Sequence, residues 1–207
     1  MARSGARLLV DCLLAQGVTT LFGVPGESYL SVLDALHDVR ERIRAVPNRQ
    51  EGGAAFMAAA WGKLTGRPGI AFVTRGPGAT NAAIGVHSAR QDSSPMILFV
   101  GQVGRAMRGR EAFQEVDYRA AFGPLAKWAT EIDDADRIAE IVARAFAVAE
   151  TGRPGPVVVA LPEDMLSGPA AAVAGPAVRI PLPAPSAEDV AAVALVLGEA
   201  GRPPVLG

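Results

Sequence analysis

Short apolar runs alternate along this chain with longer segments in which apolar residues recur at helical spacing. The runs "GIAFVT" (69–74), "PMILFVG" (95–101) and "PGPVVVALP" (154–162) predict buried strands. The segment 51–66 before the first run and the segment 134–150 between the second and third runs predict helices. Strands that are apolar on both faces and separated by helices are typical of a parallel sheet that is covered on both sides. The pattern therefore predicts an α/β fold with a parallel sheet flanked by helices on both faces, and it leaves the strand order open.

The remaining elements follow from the same patterns. Shorter strands are predicted at 18–24 and 43–47, further helices at 7–17, 28–38 and 78–92, and another short segment at 125–132 after a long loop. Two of the helices are expected to end at glycines, Gly17 and Gly66, because glycine readily adopts the left-handed conformation that closes a helix.

The composition changes after Leu166. We expect a first domain over 1–168, a linker rich in proline and alanine over 169–185, and the start of a second α/β domain over 186–207. Ser186 is a candidate N-cap of the first helix in that second unit, and a strand is expected from about Pro204. A strand with no helix after it leads us to expect the N-terminal part of a longer protein, or a shortened piece of one.

Composition narrows the classes of partner. The 207 residues are 50% hydrophobic with a formal net charge of -1, so neither a nucleic acid nor a membrane surface is an expected partner. The single cysteine, Cys12, excludes a disulfide within the chain and favours the reducing cytoplasm. The two histidines, His37 and His87, are isolated from each other and from carboxylates, so no metal site is expected in this chain.

Three glycine-rich turns follow predicted strands: "FGVPGES" (22–28), "NRQEGGA" (48–54) and "TRGPGATN" (74–81). In a parallel α/β sheet all three lie at the carboxyl edge, where ligands bind. Glycines there allow the backbone to approach a flat ligand, although glycines also make tight turns in any α/β protein. None of the turns has the spacing of a phosphate-binding loop or a dinucleotide fingerprint, so phosphate binding by this chain is not expected.

Glu51 stands at the head of a predicted helix and is followed by Gly52, Gly53, Ala54 and Ala55. A carboxylate in the first turn is stabilised by the helix dipole, which would be a sufficient explanation on a surface helix. Apolar neighbours instead favour a carboxyl group that can hold or share a proton near neutral pH. The residues support the two interpretations about equally.

The loop "GREAFQEVD" (109–117) carries Phe113 and Gln114 at its centre. Long loops in compact domains are often functional, because they place side chains at the edge of a rigid scaffold. The alternative is a solvated connection with one aromatic anchor.

Taken together, "LFGVPGES", "NRQEGGAAFMAAAWGKLTGRPG", "TRGPGATNAAIGVHSARQD", "REAFQEVDY" and "GRPGPVVVALPED" resemble the N-terminal, pyrimidine-binding domain of thiamine-diphosphate-dependent enzymes. Within that superfamily they are most similar to the acetolactate synthase group. The resemblance covers residues 5–166, and the order and spacing of several motifs match.

The resemblance implies a role for Glu51. In the family, the glutamate at this position hydrogen-bonds N1′ of the aminopyrimidine ring and helps the cofactor to deprotonate its own thiazolium C2. It also implies a cofactor pocket and a substrate end. The implied cofactor-binding residues are Gly26, Glu51, Thr74, Gly76, Pro77 and Gly78, and those near the substrate are Glu27, Phe113 and Gln114.

Two residues depart from the usual family pattern. Arg75 stands where the family usually has serine, and Glu27 stands where a second glycine is common. These departures bear on the substrate more than on the cofactor.

The parts of the site that bind the diphosphate and Mg²⁺ are expected outside this chain. In the family, a C-terminal domain binds the diphosphate and Mg²⁺ through a G-D-G…N-type motif that this chain lacks, and a central domain carries FAD in acetolactate synthases. The resemblance therefore implies a homo-oligomer, a dimer or tetramer, whose site is shared between subunits, and a fragment that is inactive by itself.

The expected reaction is decarboxylation of pyruvate with two-carbon transfer to a second 2-keto acid. Alternatives are another thiamine-diphosphate decarboxylase or carboligase, or a non-catalytic assembly module. A nucleotide-binding protein is disfavoured by the missing phosphate-loop spacing.

Overall fold

The computed structural model describes residues 3–181 and 183–204. The strands are β1 (Arg3–Ser4), β2 (Thr20–Gly23), β3 (Arg44–Pro47), β4 (Gly69–Val73), β5 (Met96–Gln102), β6 (Trp128–Glu131), β7 (Pro156–Pro162) and β8 (Pro169–Ala170). The α-helices are α1 (Gly5–Ala15), α2 (Leu30–Asp38), α3 (Glu51–Thr65), α4 (Gly76–Gln91), α5 (Tyr118–Phe122), α6 (Ile138–Glu150), α7 (Glu163–Ser167) and α8 (Ala187–Glu199).

Six strands form one sheet in the order β3-β2-β4-β5-β7-β6, and all of its neighbouring pairs are parallel. Every residue of β4, β5 and β7 is buried, as the continuous apolar runs predict for strands covered on both faces. β1 and β8 form a separate antiparallel pair. The predicted α/β fold with a parallel sheet and helices on both faces is confirmed.

The sheet separates two hydrophobic clusters. One contains buried side chains of α1, α2 and α6, and the other contains those of α3, α4 and α5. In the first cluster the rings of Phe72 and Phe99, on neighbouring strands, stack with centroids 4.8 Å apart. The helices that carry the glycine-rich turns at 48–54 and 74–81 therefore lie together on one face of the sheet.

Local capping explains where two of the helices begin and end. The side chain of Gln50 accepts a hydrogen bond from the amide of Gly53 at 2.9 Å, which caps the N-terminus of α3. Gly66 closes the same helix with a φ of 71°, and Gly17 follows α1 with a φ of 79°. Both glycines adopt the left-handed conformation that favours residues without a Cβ.

The segment after β8 has no regular structure up to Ser186 in its described part, and hydrogen bonds attach it to two earlier residues, Asp136 and Gln16. Asp136 accepts hydrogen bonds from the amides of Ala171 and Ala172, and Gln16 bonds the backbone of Pro176 and Val178.

Ser186 caps α8 in a capping box with Asp189, and no residue of α8 is buried. The strand expected from Pro204 falls almost entirely outside the described residues.

Candidate functional site

The three glycine-rich turns meet at the carboxyl edge of the sheet, because β3, β2 and β4 are adjacent and parallel. A Cβ added to Gly26 in the first turn would lie 2.5 Å from Cβ of Thr74 in the third turn. The hydroxyl groups of Ser28 and Thr74 are 2.9 Å apart and share a hydrogen bond. Only glycine allows this close approach at position 26, so the first and third turns form one continuous surface.

Glu51 is the first residue of α3 and is half-buried. Its Oε2 accepts a hydrogen bond of 2.9 Å from the side-chain amide of Asn81 on α4. No donor among the described residues bonds its Oε1, and a Cβ added to Gly78 would lie 3.6 Å from that oxygen. One carboxylate oxygen is therefore fixed by the protein, and the other is available as an acceptor beside a glycine.

The loop that contains Gln114 is hydrogen-bonded to the third turn. The amide of Gly76 donates a hydrogen bond of 3.0 Å to the carbonyl of Gln114. A Cβ on Gly76 would lie 3.0 Å from that carbonyl oxygen and 3.1 Å from Cγ2 of Val116. Gln114 has a φ of 66°, in the left-handed region that few residues other than glycine adopt. The structure thus joins Gln114 to the turn of Thr74, Gly76, Pro77 and Gly78 through the backbone.

The tip of this loop is ordered by Glu115, which accepts hydrogen bonds from the amides of Gly109 and Ala112 at 2.7 and 3.1 Å. Phe113 projects from the loop with 78% of its surface exposed. Within the described chain Phe113 is therefore not packed against the turns, and its predicted place near a substrate stays a prediction.

Arg75, in the third turn, is buried and pairs with carboxylates from two other elements. Its Nη2 donates a hydrogen bond to Oε2 of Glu163 at the start of α7, and its Nη1 lies 3.8 Å from Oε1 of Glu27. Glu27, which is predicted to lie on the substrate side, is thus placed at the same edge as the three glycine-rich turns.

Sequence analysis missed three residues of this constellation: Asn81, Ser28 and Glu163. Asn81 lies in the quoted motif "TRGPGATN", one helical turn after Gly78, but its partner Glu51 is 30 positions away and no local pattern pairs the two. No local signal marks Glu163, because its contact with Arg75 spans 88 positions of the chain.

The tyrosines beside the site are neutral hydrogen-bond donors. Burial, with a smaller contribution from the charge of Glu51, raises the pKa of Tyr29 well above its usual range, and its hydroxyl donates to the carbonyl of Val24. Burial also raises the pKa of Tyr118, against an opposing effect of Arg75, and its hydroxyl donates to the carbonyl of Gly101. Both phenols therefore stabilise the backbone at this edge of the sheet through hydrogen bonds and do not exchange protons.

The small residues after Glu51 have a packing role that the sequence did not predict. Ala55 contacts α4 where Gly85 brings the two helices together, since a Cβ on Gly85 would lie 2.4 Å from Cβ of Ala55. Gly53, in contrast, faces open space, because a Cβ there would meet nothing within 4 Å. Room for a flat ligand thus exists beside Gly53, whereas Ala55 serves the contact between α3 and α4.

These observations fit an aminopyrimidine ring. Such a ring needs a carboxyl partner for a ring nitrogen and a flat surface without side chains. Glu51 supplies an available oxygen, and Gly26 and Gly78, which both pack against the side chain of Thr74, add no side chain of their own to the surface.

A cleft of about 440 Å³ at this edge is lined by residues that include Glu27, Ser28 and Glu163. Another cleft, of about 500 Å³, lies at the opposite edge of the sheet, where it is lined by residues such as Gln16, Trp61 and Arg67. Residues 3–181 and 183–204 contain no group of three or more His, Cys, Asp or Glu side chains placed to hold a metal ion. No helix in those ranges is long and apolar enough to cross a membrane.

Comparison with known proteins identifies the family. Residues 3–121 match the family model of the thiamine pyrophosphate enzyme, N-terminal TPP binding domain. The catabolic acetolactate synthase of Raoultella terrigena is 44% identical over 177 residues, which cover 86% of this chain and 31% of that protein. The acetolactate synthase of Bacillus subtilis (strain 168) is 39% identical over 202 residues, which cover 98% of this chain and 35% of that protein. The acetolactate synthase isozyme 3 large subunit of Escherichia coli (strain K12) is 42% identical over 164 residues, or 79% of this chain and 28% of that protein.

The chain therefore spans about a third of the length of these curated relatives. The family match covers more than half of this chain and includes all three glycine-rich turns, Glu51 and the loop of Phe113 and Gln114. This chain belongs to the family of N-terminal TPP binding domains of thiamine pyrophosphate enzymes.

Proposed function

We propose that this chain supplies the pyrimidine-binding half of the site in a thiamine-diphosphate-dependent carboligase that acts on 2-keto acids. The proposed reaction decarboxylates pyruvate and transfers the two-carbon unit to a second 2-keto acid. The observation that carries the proposal is Glu51, whose Oε2 is fixed by Asn81 while its Oε1 faces the glycine-lined turn. The printed names of the relatives, acetolactate synthases, support the choice of reaction.

Glu51 holds and moves the proton at this site. Its free oxygen hydrogen-bonds a ring nitrogen of the aminopyrimidine, and Asn81 keeps the carboxyl group in one orientation. When bound, thiamine diphosphate supplies the electron sink for the carbon atom from which CO₂ departs.

The turn residues have a positional role. Gly26, Thr74, Gly76, Pro77 and Gly78 line the ring, and Glu27, Phe113 and Gln114 face the substrate end. Mg²⁺ and the diphosphate are bound outside this chain, and FAD is a further candidate cofactor of the complete protein.

The complete site is proposed to form in a homo-oligomer, a dimer or tetramer, in the cytoplasm. The half-burial of Glu51 supports a site shared between subunits. Proton exchange requires a site from which water is excluded, so a second subunit is needed to cover the exposed part of Glu51. Large apolar side chains also remain exposed on the outer faces of α3 and α4, at Phe56, Met57, Leu64 and Ile84. These same side chains are the observation that favours the second candidate function, a module that serves assembly without catalysis.

The test uses the complete gene product with pyruvate, thiamine diphosphate and Mg²⁺. Acetolactate, acetaldehyde and CO₂ are measured for the wild type, for Glu51→Gln, and for the control Glu140→Gln, whose carboxylate lies on the exposed face of α6. We expect acetolactate from the wild type and the control, and a loss of about two orders of magnitude or more in Glu51→Gln.

Binding of thiamine diphosphate, measured by calorimetry, provides a readout that is independent of turnover. Equal turnover by wild type and Glu51→Gln would exclude the proton role and favour the assembly module. Acetaldehyde without acetolactate would instead favour a non-oxidative decarboxylase on the same scaffold.

A further inference from the structure

The side chain of Arg75 joins the ends of three strands. Arg75 lies two residues after the end of β4, at the N-cap position of α4, and its side chain is only 9% exposed. Its guanidinium bonds Glu163, which follows β7, and approaches Glu27, which follows β2, to 3.8 Å. One guanidinium fork thus contacts two carboxylates that are far apart in the sequence, and its planar, rigid set of donors suits this arrangement better than the point charge of lysine.

This bridge passes over the end of β5, which lies between β4 and β7 in the sheet. A Cβ on Gly101, near the end of β5, would lie 1.8 Å from Oγ of Ser28. Because Gly101 has no side chain, Ser28 can bury itself there and bond Thr74 at 2.9 Å. Ser28 and Thr74 therefore join the first and third turns, and Arg75 is the residue that follows Thr74 in the chain.

Arg75 also keeps one polar atom without a partner. Its Nε is buried and bonds no atom of the described residues. Buried donors in native proteins are nearly always paired, and an unpaired one is commonly found where a side chain has been placed for function. Stability alone would be served as well by an apolar side chain at this position.

Glu27 depends on Arg75 for its position. The side chain of Glu27 is 79% exposed, and Arg75 is its only ion-pair partner in the part of the chain that the structure describes. Without that cation the carboxylate would sample several rotamers at the substrate side of the site. With it, the carboxylate has an ion-pair partner at 3.8 Å that is itself buried, while solvent screens the pair on the exposed side of Glu27.

We propose that Arg75 is a positioning residue, which fixes the carboxylate of Glu27 at the substrate side of the site and thereby sets the affinity for the 2-keto acid. The proposal deepens the proposed function and rests on it. Arg75 acts through Glu27, while Glu163 anchors the other side of the guanidinium.

A double-mutant cycle in the complete gene product tests this proposal. Its members are the wild type, Arg75→Ser, Glu27→Gln and the double variant, with Arg75→Lys as the conservative replacement. Serine is a suitable replacement because it is the usual residue of the resembled family at this turn. The matched control is Arg137→Ser, which removes an exposed ion pair with Glu140 of 3.0 Å on α6. KM and kcat for pyruvate, the dissociation constant of thiamine diphosphate and the unfolding midpoint are measured for each protein.

We expect Arg75→Ser to raise KM for pyruvate about tenfold, with a smaller effect on kcat, and Arg75→Lys to restore part of the loss. In the Glu27→Gln background the same serine substitution should change KM less than about threefold, because the partner is already gone. The control should match the wild type.

An equal rise in KM on Arg75→Ser in the wild type and in the Glu27→Gln variant would overturn the proposal. A rise in KM that only follows weaker binding of thiamine diphosphate, or a lower unfolding midpoint, would overturn it as well. Failure of the proposed function would look different, because the wild type itself would then turn over no 2-keto acid. The cycle would in that case be read from the four unfolding midpoints, and additive midpoints would overturn the contact between Arg75 and Glu27.

Discussion

The close contact between α3 and α4 predicts that Gly85→Ala destabilises the protein. A Cβ on Gly85 would lie 2.4 Å from Cβ of Ala55, 2.8 Å from its carbonyl carbon and 3.0 Å from the amide nitrogen of Phe56. Carbon atoms in ordinary contact are about 3.5–4.0 Å apart. Two of the three obstacles are backbone atoms, so the helices must separate by roughly 1 Å, because no side-chain rotation can relieve the overlap.

Two opposing effects determine the size of the change. Alanine is favoured over glycine in a helix interior by about 1 kcal/mol, which would stabilise α4. Overpacking of a close contact costs about 1–3 kcal/mol, and obstruction by backbone places this site at the upper end. The expected net loss is therefore about 1–2 kcal/mol in the free energy of unfolding. For a domain of this size that corresponds to a fall in Tm of roughly 2–8 °C.

Thermal and urea unfolding of the complete gene product measure this change, with Gly53→Ala as the control on the neighbouring helix. A Cβ on Gly53 meets nothing within 4 Å, so the control should keep or slightly raise the wild-type stability. If Gly85→Ala proved as stable as the wild type while the control behaved as expected, the helices would not be held at the distance described here.

Two further predictions concern single side chains. Burial, with an added contribution from Asp11, raises the pKa of the Cys12 thiol to about 11. Alkylation by iodoacetamide at mildly alkaline pH should therefore be far slower in folded than in urea-unfolded protein. Equal alkylation rates would contradict the burial of Cys12. Hydrogen bonds from the amides of Ala172 and Ala171 lower the pKa of Asp136 below its ordinary value of 3.8. This attachment of the segment after β8 is therefore intact above that pH and is lost as the pH falls through the lowered pKa. Hydrogen-exchange protection of the two amides should decrease over the same pH range. In Asp136→Ala this protection should already be lost at neutral pH. Protection that did not change with pH would show that the carboxylate does not hold the two amides.

Much of the fold could be predicted because its strands are buried on both faces. The run "GIAFVT" contains β4, and "PMILFVG" contains most of β5, since continuous apolar residues are needed wherever helices cover both sides of a sheet. The pairing of β1 with β8 could not be predicted, because it joins segments of two residues each from opposite ends of the domain. The five-residue helices α5 and α7 are too short to show a periodic pattern.

The site was predictable to the extent that each residue carries a local signal. Glu51 stands out because it begins a helix with a run of small residues behind it. Asn81 does not, since an asparagine within a helix has no distinctive pattern and its partner lies 30 positions away. The contacts of Arg75 are even more remote, and only the order of strands in the sheet brings Glu27 and Glu163 to the same guanidinium.

The geometry of Glu51 separates two requirements of the proposed chemistry. Its orientation is set within this chain, because the bond to Asn81 joins two helices that pack closely through Gly85 and Ala55. Its exclusion from water is not set here, since Glu51 is only half-buried and Gly53 beside it faces open space. A proton shared with a weakly basic ring nitrogen needs both a fixed partner and a dry environment. In the proposed chemistry, this fold therefore sets the orientation of the carboxyl group that holds the proton, whereas proton transfer depends on what covers the carboxyl edge of the sheet.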